Sequence, residues 1–338
     1  MIKLRSIGDV VYNTSVYTPL KRCFPDCHLT VLVEKPSYDL VRYHPDVDEV
    51  LCFQKDSPLR QAGFYFRLFR ARYDVVIDMH EGTRGAVMCF LTGARFRVGH
   101  KYARRSFLYN VKLEFKDLQP KYPIDYQTAL IKKMGAHFDR VAPAIHLDPA
   151  RRKNALRLLE KNGIHREDEY CIIHPGTAKI FNQWQHEKFA RLAEIFHADY
   201  GLKVILTCGP GEEDQVHSVT RLIKNIPFVF LTADLQELGV ITQGARFALC
   251  HNGGYMHLAS VLGTPVIALF GAVHPRVWKP LGERDVILYK KVECSPCNHK
   301  TRKKECYSGD AECKRLIAVE DVLEGVDRIL AAKLKPED

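Results

Sequence analysis

His251-Asn252-Gly253-Gly254-Tyr255-Met256-His257-Leu258-Ala259-Ser260-Val261-Leu262-Gly263-Thr264-Pro265 stands between two apolar runs, Phe247–Cys250 and Val266–Phe270. The runs have strand length, and the intervening apolar spacing is that of a helix starting near Tyr255. Two glycines let the backbone approach a ligand closely, and a helix start presents unpaired N–H groups. Together they form an anion site suited to a diphosphate. Gly263 ends the helix and Thr264-Pro265 leads into the next strand. The stretch is therefore a strand–loop–helix–strand unit, and the plain structural alternative is a connection with no ligand.

The same unit recurs outward from it. Strand-like runs include Leu29–Val33, Val75–Asp78, Tyr170–Ile173 and Val204–Thr207, and Phe189, Leu192, Ile195, Phe196 and Tyr200 mark one helical stripe between them. Alternating strands and helices predict parallel sheets covered on both faces. His174-Pro175-Gly176-Thr177 and Cys208-Gly209-Pro210-Gly211 are further glycine loops after strands. Ligands of open α/β sheets bind beyond the carboxyl ends of the strands, which marks residues 170–275 as the ligand-binding half. A polar stretch, Asp148–Asp168, with a helix at Arg151–Lys161, separates the halves. No internal repeat is visible, and Ala318–Leu334 has the spacing of a last helix. The expectation is α/β: two Rossmann-like doubly wound domains, residues 1–150 and 151–317, facing a cleft, with a C-terminal helix at 318–338 packed back on them.

A chain of 338 residues with 46% hydrophobic and 27% charged residues is globular in balance. It has no apolar run of the roughly 18 residues that span a bilayer. Asp9 interrupts the N-terminus before a signal-peptide apolar region forms, so a cytoplasmic protein is expected. Fifty basic against forty acidic residues give +10, which favours anionic partners. Arg95, Arg97, Lys101, Arg104 and Arg105 lie in one acid-free run with Phe96, Tyr102, Phe107 and Tyr109, and a similar mixture spans Phe64 to Arg72. Either this is a solvated face over ordinary core aromatics, or it meets an anionic substrate or a membrane. Nucleic-acid binding is disfavoured, because no binding motif accompanies the charge.

Of eleven cysteines, Cys89, Cys171, Cys208 and Cys250 lie in apolar surroundings and read as small core residues. Cys294, Cys297, Cys306 and Cys313 are spaced to wrap a structural Zn or Fe, against the alternative of reduced thiols in a charged loop.

The opening stretch resembles the signature of glycosyltransferase family 9, the ADP-heptose:lipopolysaccharide heptosyltransferases. Further pieces match in order: Leu4-Arg5-Ser6-Ile7-Gly8-Asp9-Val10-Val11, Phe24-Pro25, His44-Pro45, Tyr73–Asp78, His174-Pro175-Gly176 followed by Trp184, Phe270-Gly271 with His274-Pro275, and Cys294-Ser295-Pro296-Cys297. The resemblance implies a GT-B fold, with an N-terminal acceptor domain and a C-terminal nucleotide-sugar domain. It also implies metal-independent transfer, so that Asp46-Val47-Asp48 is a connecting loop. The implied reaction moves a heptose from ADP-heptose to an anionic lipopolysaccharide inner-core acceptor, at the cytoplasmic face of the inner membrane, with inversion.

Residue by residue, the resemblance makes Asp9 the base that takes the acceptor hydroxyl proton, its structural alternative being a helix cap. Gly176 and Thr177 fall on the phosphate loop, Glu213 on the ribose acid (with Glu212 adjacent), and Thr232 and Ala233 on the adenine cradle. Gly253, Gly254, Met256 and His257 fall on the diphosphate end. Two positions depart from the family. Asn182 replaces a lysine that neutralises the leaving diphosphate, with Lys179 nearby to substitute. Asn252 replaces an aspartate at the donor sugar, keeping its shape without the charge. The alternatives are a related transferase with another donor sugar or a protein acceptor, or a degenerate sugar-nucleotide-binding protein.

Overall fold

The computed structural model describes residues 1–114, 123–179, 182–297, 306 and 309–331. The basic stretch at 300–304 and the end of the last expected helix, at 332–334, lie outside the described residues. The chain divides into two compact units, Met1–His146 and Leu147–Asp338.

In the first unit, β1 (Thr30–Glu34) pairs with β2 (Glu49–Phe53), and β4 (Phe96–His100) lies between β3 (Val75–Ile77) and β5 (Val111–Leu113). All pairings are parallel. The N-terminal segment joins these two sheets. Ile2 bridges both Leu32 and Asp78, with backbone bonds from the Ile2 N–H to the Ile77 carbonyl and from the Lys3 N–H to the Leu32 carbonyl, each 2.9 Å. One parallel sheet results, with Ile2, Leu4, Leu32, Val76, Met88 and Cys89 packed in its core.

The second unit holds one six-stranded parallel sheet, ordered β11-β10-β9-β6-β7-β8. Its strands are β6 (Tyr170–His174), β7 (Lys203–Thr207), β8 (Phe228–Leu231), β9 (Ala248–His251), β10 (Val266–Leu269) and β11 (Val286–Leu288). Strands β6, β9 and β10 are buried along their whole length, as a sheet covered on both faces requires. Phe189, Leu192 and Phe196 of helix His186–Ala198 cover one face, and Val240, Ile241, Met256 and Ala259 cover the other. The C-terminal helix, Val319–Ala331, inserts Val322, Val326 and Ile329 beside Phe189 on the first of these faces. Gly325 permits that approach, because a Cβ there would stand 3.1 Å from Val286.

Observed strand limits differ from the expected ones by one residue in most cases. The runs that became β2, β4, β5, β8 and β11 are short or polar, and their membership depends on neighbours rather than local pattern.

Candidate functional site

The loops singled out in the second unit all leave the C-terminal ends of its strands. Helix Gly254–Val261 follows β9 directly. The Gly253 carbonyl accepts from the His257 N–H at 3.4 Å, which closes the first turn. The N–H groups of Gly254, Tyr255 and Met256 precede that bond and have no intrahelical acceptor. At the far end Gly263 takes φ +88°, a left-handed value that glycine adopts without strain. Met256 and His257 are buried. The Met256 side chain belongs to the core behind the loop, so only its backbone faces the loop's role.

Strand β6 delivers Gly176 into contact with the Gly209–Glu212 turn. A Cβ at Gly176 would lie 2.2 Å from Glu212 Oε2, so only glycine fits while that carboxylate stays in place. Glu212 Oε2 accepts from the Gly209 N–H at 3.0 Å and lies 3.6 Å from His174 Nε2. Burial opposes its ionisation, but His174 and the Gly209 N–H outweigh burial and hold the carboxyl below its usual range. Glu212, rather than Glu213, is therefore the acid brought to this loop; Glu213 opens the helix Glu213–Thr220. Gln215, one turn into that helix, clamps Thr177. It accepts from the Thr177 N–H at 3.0 Å and donates to the Thr177 carbonyl at 3.1 Å. Thr232 and Ala233 follow β8, with Asp234 capping the next helix through the Gln236 and Glu237 N–H groups. Lys179 is exposed at the edge of the same loop region.

The two family departures touch. Asn182, buried, donates from Nδ2 to Asn252 Oδ1 at 3.0 Å, across seventy residues of sequence. The Asn182 Oδ1 has no partner among the described residues. Beneath the same loop, buried Lys314 donates to the Leu269 carbonyl at 2.6 Å and lies 3.4 Å from His251 Nδ1. Burial pulls its amine down to about 7. Sequence reading missed Lys314 and Gln215, because neither stands in a glycine loop.

In the first unit, Asp9 is the third residue of helix Ile7–Asn13, whose cap is Ser6. Its Oδ2 accepts from the Ser6 N–H at 3.2 Å and the Ser6 hydroxyl at 2.9 Å, and its Oδ1 pairs with Lys3 Nζ at 3.1 Å. Burial raises its pKa, and the Lys3 charge with the Ser6 bonds more than reverses this, leaving the carboxyl below the usual range. The capping role expected as the alternative is thus present in the fold. Lys3 in turn donates to the Met79 carbonyl at 2.8 Å, at the end of β3.

Beyond that strand end lies an open cleft of about 480 Å³ lined by Arg5, His80, Gly82, Thr83, Arg84 and Val87. Burial, with the charges of Lys3 and Arg5, pulls His80 down to about 4, so its imidazole is neutral at neutral pH. Glu81 is held by His100 Nε2 at 3.2 Å and by the Tyr102 hydroxyl at 2.6 Å. Asp78, fully buried, accepts from the Tyr109 hydroxyl at 2.6 Å and the His80 N–H at 2.8 Å, and burial pushes it up to about 6. No sequence signal marks His80 or Arg84, and Arg5 stands out only as part of the Leu4–Val11 stretch; the three come together only where the strands end.

The basic run does not form one surface. Arg95 and Arg97 flank Phe96, which pairs with Val75 at the beginning of β3, whereas Asp9's partner Lys3 and His80 stand at the opposite end of that sheet. Arg97 spends its guanidinium on the Leu108 and Ala94 carbonyls, at 3.0 and 2.8 Å. Lys101, beyond the end of β4, pairs with Glu114 at 2.5 Å. Arg104 and Arg105 are exposed in the turn that follows. The structural metal expected at Cys294, Cys297, Cys306 and Cys313 is not shown: among the described residues no three His, Cys, Asp or Glu side chains are grouped around a common point. Cys297 and Cys313 are buried, and the Cys313 Sγ packs where a Gly271 side chain would be.

Two α/β units, each built on parallel strands, with glycine loops leaving the strand ends of the second, have the pattern of the GT-B fold. The profile of glycosyltransferase family 9 (heptosyltransferase) matches residues 64–308, and the chain belongs to that family. It is 23% identical over 348 residues to lipopolysaccharide heptosyltransferase 3 of Escherichia coli, covering 97% of each chain. The fold is similar to that of a family 9 glycosyltransferase from Veillonella parvula, with a TM-score of 0.83, 20% identity, and coverage of 97% of this chain and 96% of that one. E. coli ADP-heptose lipopolysaccharide heptosyltransferase II matches with a TM-score of 0.79, 17% identity and 97% of each chain. No helix among the described residues is long and apolar enough to cross a membrane.

Proposed function

We propose that this glycosyltransferase moves a heptose from ADP-heptose onto an anionic lipopolysaccharide inner-core acceptor, with inversion, at the cytoplasmic face of the inner membrane. The observation that carries the donor half is the start of helix Gly254–Val261, whose free N–H groups follow a loop with no acidic side chain of its own. A diphosphate accepts from such groups and is favoured by the helix dipole. Gly176, Thr177 and Lys179 supply the facing loop, Glu212 or Glu213 the ribose contact, and Thr232 and Ala233 the base contact.

On the acceptor side, Arg5 and Arg84 line a cleft with His80; Arg84 is paired with Glu34 at 2.9 Å, which leaves Arg5 as the charge matched to phosphate or carboxylate groups of a core oligosaccharide. In the step itself an acceptor hydroxyl oxygen bonds to the anomeric carbon, the bond from that carbon to the diphosphate breaks, and ADP departs. Asp9 takes the hydroxyl proton as its acidity rises during attack. No catalytic metal enters this route.

The contact of Asn182 with Asn252 favours a working site over a decayed one. A positive and a negative charge are both exchanged for neutral amides joined by one hydrogen bond. The net charge at the donor is unchanged. Part of the same proposal is a structural Zn or Fe at Cys294, Cys297, Cys306 and Cys313. It is supported by the nearness of the other three thiols to Cys313 and by the Ala311 N–H donating to Cys306 Sγ at 3.2 Å. Elemental analysis of chelator-free protein is expected to show metal; less than about one-tenth equivalent with four titratable thiols ends that part.

Thermal shift with ADP, UDP and GDP, followed by transfer assays with ADP-heptose, tests the main reading. ADP is expected to stabilise most. Stabilisation by UDP or GDP but not ADP overturns the donor assignment.

A further inference from the structure

Two segments of the first unit contain no acidic residue. Residues 57–73 carry Arg60, Arg67, Arg70 and Arg72, and residues 82–113 carry seven basic residues. The fold brings the last turn of helix Pro58–Arg70, the last turn of helix Thr83–Leu91 and the start of β4 to one end of the sheet, where β3 and β4 begin, whereas Arg84 and Lys101 stand at the other. Helix Pro58–Arg70 fully buries only Leu68. Its partly buried Phe64 and Tyr65 serve the core, while Phe66 and Phe69 point away from it, 60% and 58% exposed. Phe69 reaches within 3.2 Å of where a Gly93 side chain would begin, at the end of the next helix, Thr83–Leu91, which exposes Phe90. Arg97 lies over the Phe90 ring at 5.6 Å and holds the Leu108 carbonyl, beside Phe107, which is 74% exposed. Arg95 covers exposed Phe96 at 5.3 Å, and Arg70 covers Phe66 at 5.8 Å. Among the described residues Arg70 and Arg95 have no carboxylate partner, while Arg67 is neutralised by Glu49 at 2.9 Å.

A soluble surface scatters its exposed aromatics singly. Here five exposed phenylalanines gather at one end of the sheet, with the guanidinium groups of Arg70, Arg95 and Arg97 over the rings of Phe66, Phe96 and Phe90. We propose that this face is a docking surface for an anionic lipid bilayer, with Phe66, Phe69, Phe90, Phe96 and Phe107 entering the headgroup–acyl boundary and the arginines meeting lipid phosphates. Such a combination of apolar depth and cationic rim is what interfacial binding requires. Charge selects the bilayer over a second copy of this chain. A two-fold interface would set the same arginines against one another with no acid to receive them. The inference rests on the reading that the acceptor is a membrane glycolipid. The face stands at the opposite end of the sheet from Lys3 and Asp9, so docking leaves the acceptor cleft uncovered.

Co-sedimentation of the full chain with vesicles of phosphatidylglycerol and phosphatidylcholine, against phosphatidylcholine alone, tests this without donor or acceptor. Binding is expected to the anionic vesicles and to weaken with salt. Phe66→Ser with Phe107→Ser, and separately Arg70→Glu with Arg95→Glu, should each lower it by at least about tenfold. An unchanged ADP thermal shift in both variants shows that the fold is intact. Equal binding to both vesicle types, or variants that bind like wild type, overturns the proposal. So does a dimer in analytical ultracentrifugation that the same substitutions dissolve. If ADP-heptose is not the donor but vesicles bind as stated, the donor reading fails and this surface stands.

Discussion

The two units solve different electrostatic problems with different materials. In the first, the groups at the strand ends are ionisable side chains set against one another: Lys3 with Asp9, His100 with Glu81, and the buried carboxyl of Asp78. In the second, the corresponding loops rely mainly on backbone N–H groups and neutral amides, with Gln215 on Thr177 and Asn182 on Asn252, beside one ionisable pair, Glu212 and His174. Moving a proton requires a group that can change charge. Holding a diphosphate requires donors that keep their place and add no negative charge. On the proposed function the contrast separates a proton-handling half from an anion-holding half, and each should be open to disturbance without the other.

The largest effect should come from Asp9→Asn, which keeps the shape and removes the base. Transfer is expected to fall by about 10²–10⁴ while the ADP thermal shift is unchanged. Activity within about tenfold of wild type would leave Asp9 as a helix cap alone and dissolve the division between halves.

Next is the pH behaviour of Asp78. Its folded pKa, pushed up to about 6 by burial, exceeds the ordinary value of 3.8. The protonated form is the one the fold prefers, so its contribution is full at acid pH and lost as pH rises through about 6. The loss is about 3 kcal/mol by linkage. Asp9 has the opposite sign: its lowered pKa contributes stability at neutral pH that is lost as pH falls through that value. Urea unfolding of wild type and Asp78→Asn at about pH 4 and about pH 7.5 isolates the first effect, since the difference between the two proteins should change by that amount. A constant difference would mean that Asp78 keeps its charge at little cost.

The smallest effect probes the amide pair. A double-mutant cycle of Asn182→Ala and Asn252→Ala should give a coupling of about 1 kcal/mol in urea unfolding, the worth of one neutral hydrogen bond. Asn182→Lys together with Asn252→Asp should cost less than the sum of the single changes. Additive costs would show that the two positions act independently, and would revive the degenerate reading.

The sequence by itself determined the architecture, because that information is local. Apolar runs of strand length around Tyr170, Val204, Ala248 and Val266, alternating with helical stripes, can only be buried as a parallel sheet covered on both faces. It also located the Gly253-Gly254 turn, since glycines after a strand and before a helix leave few other readings. Tertiary structure decided what depends on direction and on distance along the chain. Whether Glu212 or Glu213 meets Gly176 is a matter of the phase at which a helix begins, which neighbouring acids do not reveal. Asn182 finds Asn252 because β6 and β9 are adjacent, a strand order absent from local pattern. One basic-aromatic run became two regions because β4 carries the chain from one end of the sheet to the other between Arg95 and Lys101. Residues six apart in sequence were parted by a strand, and residues seventy apart were joined by one.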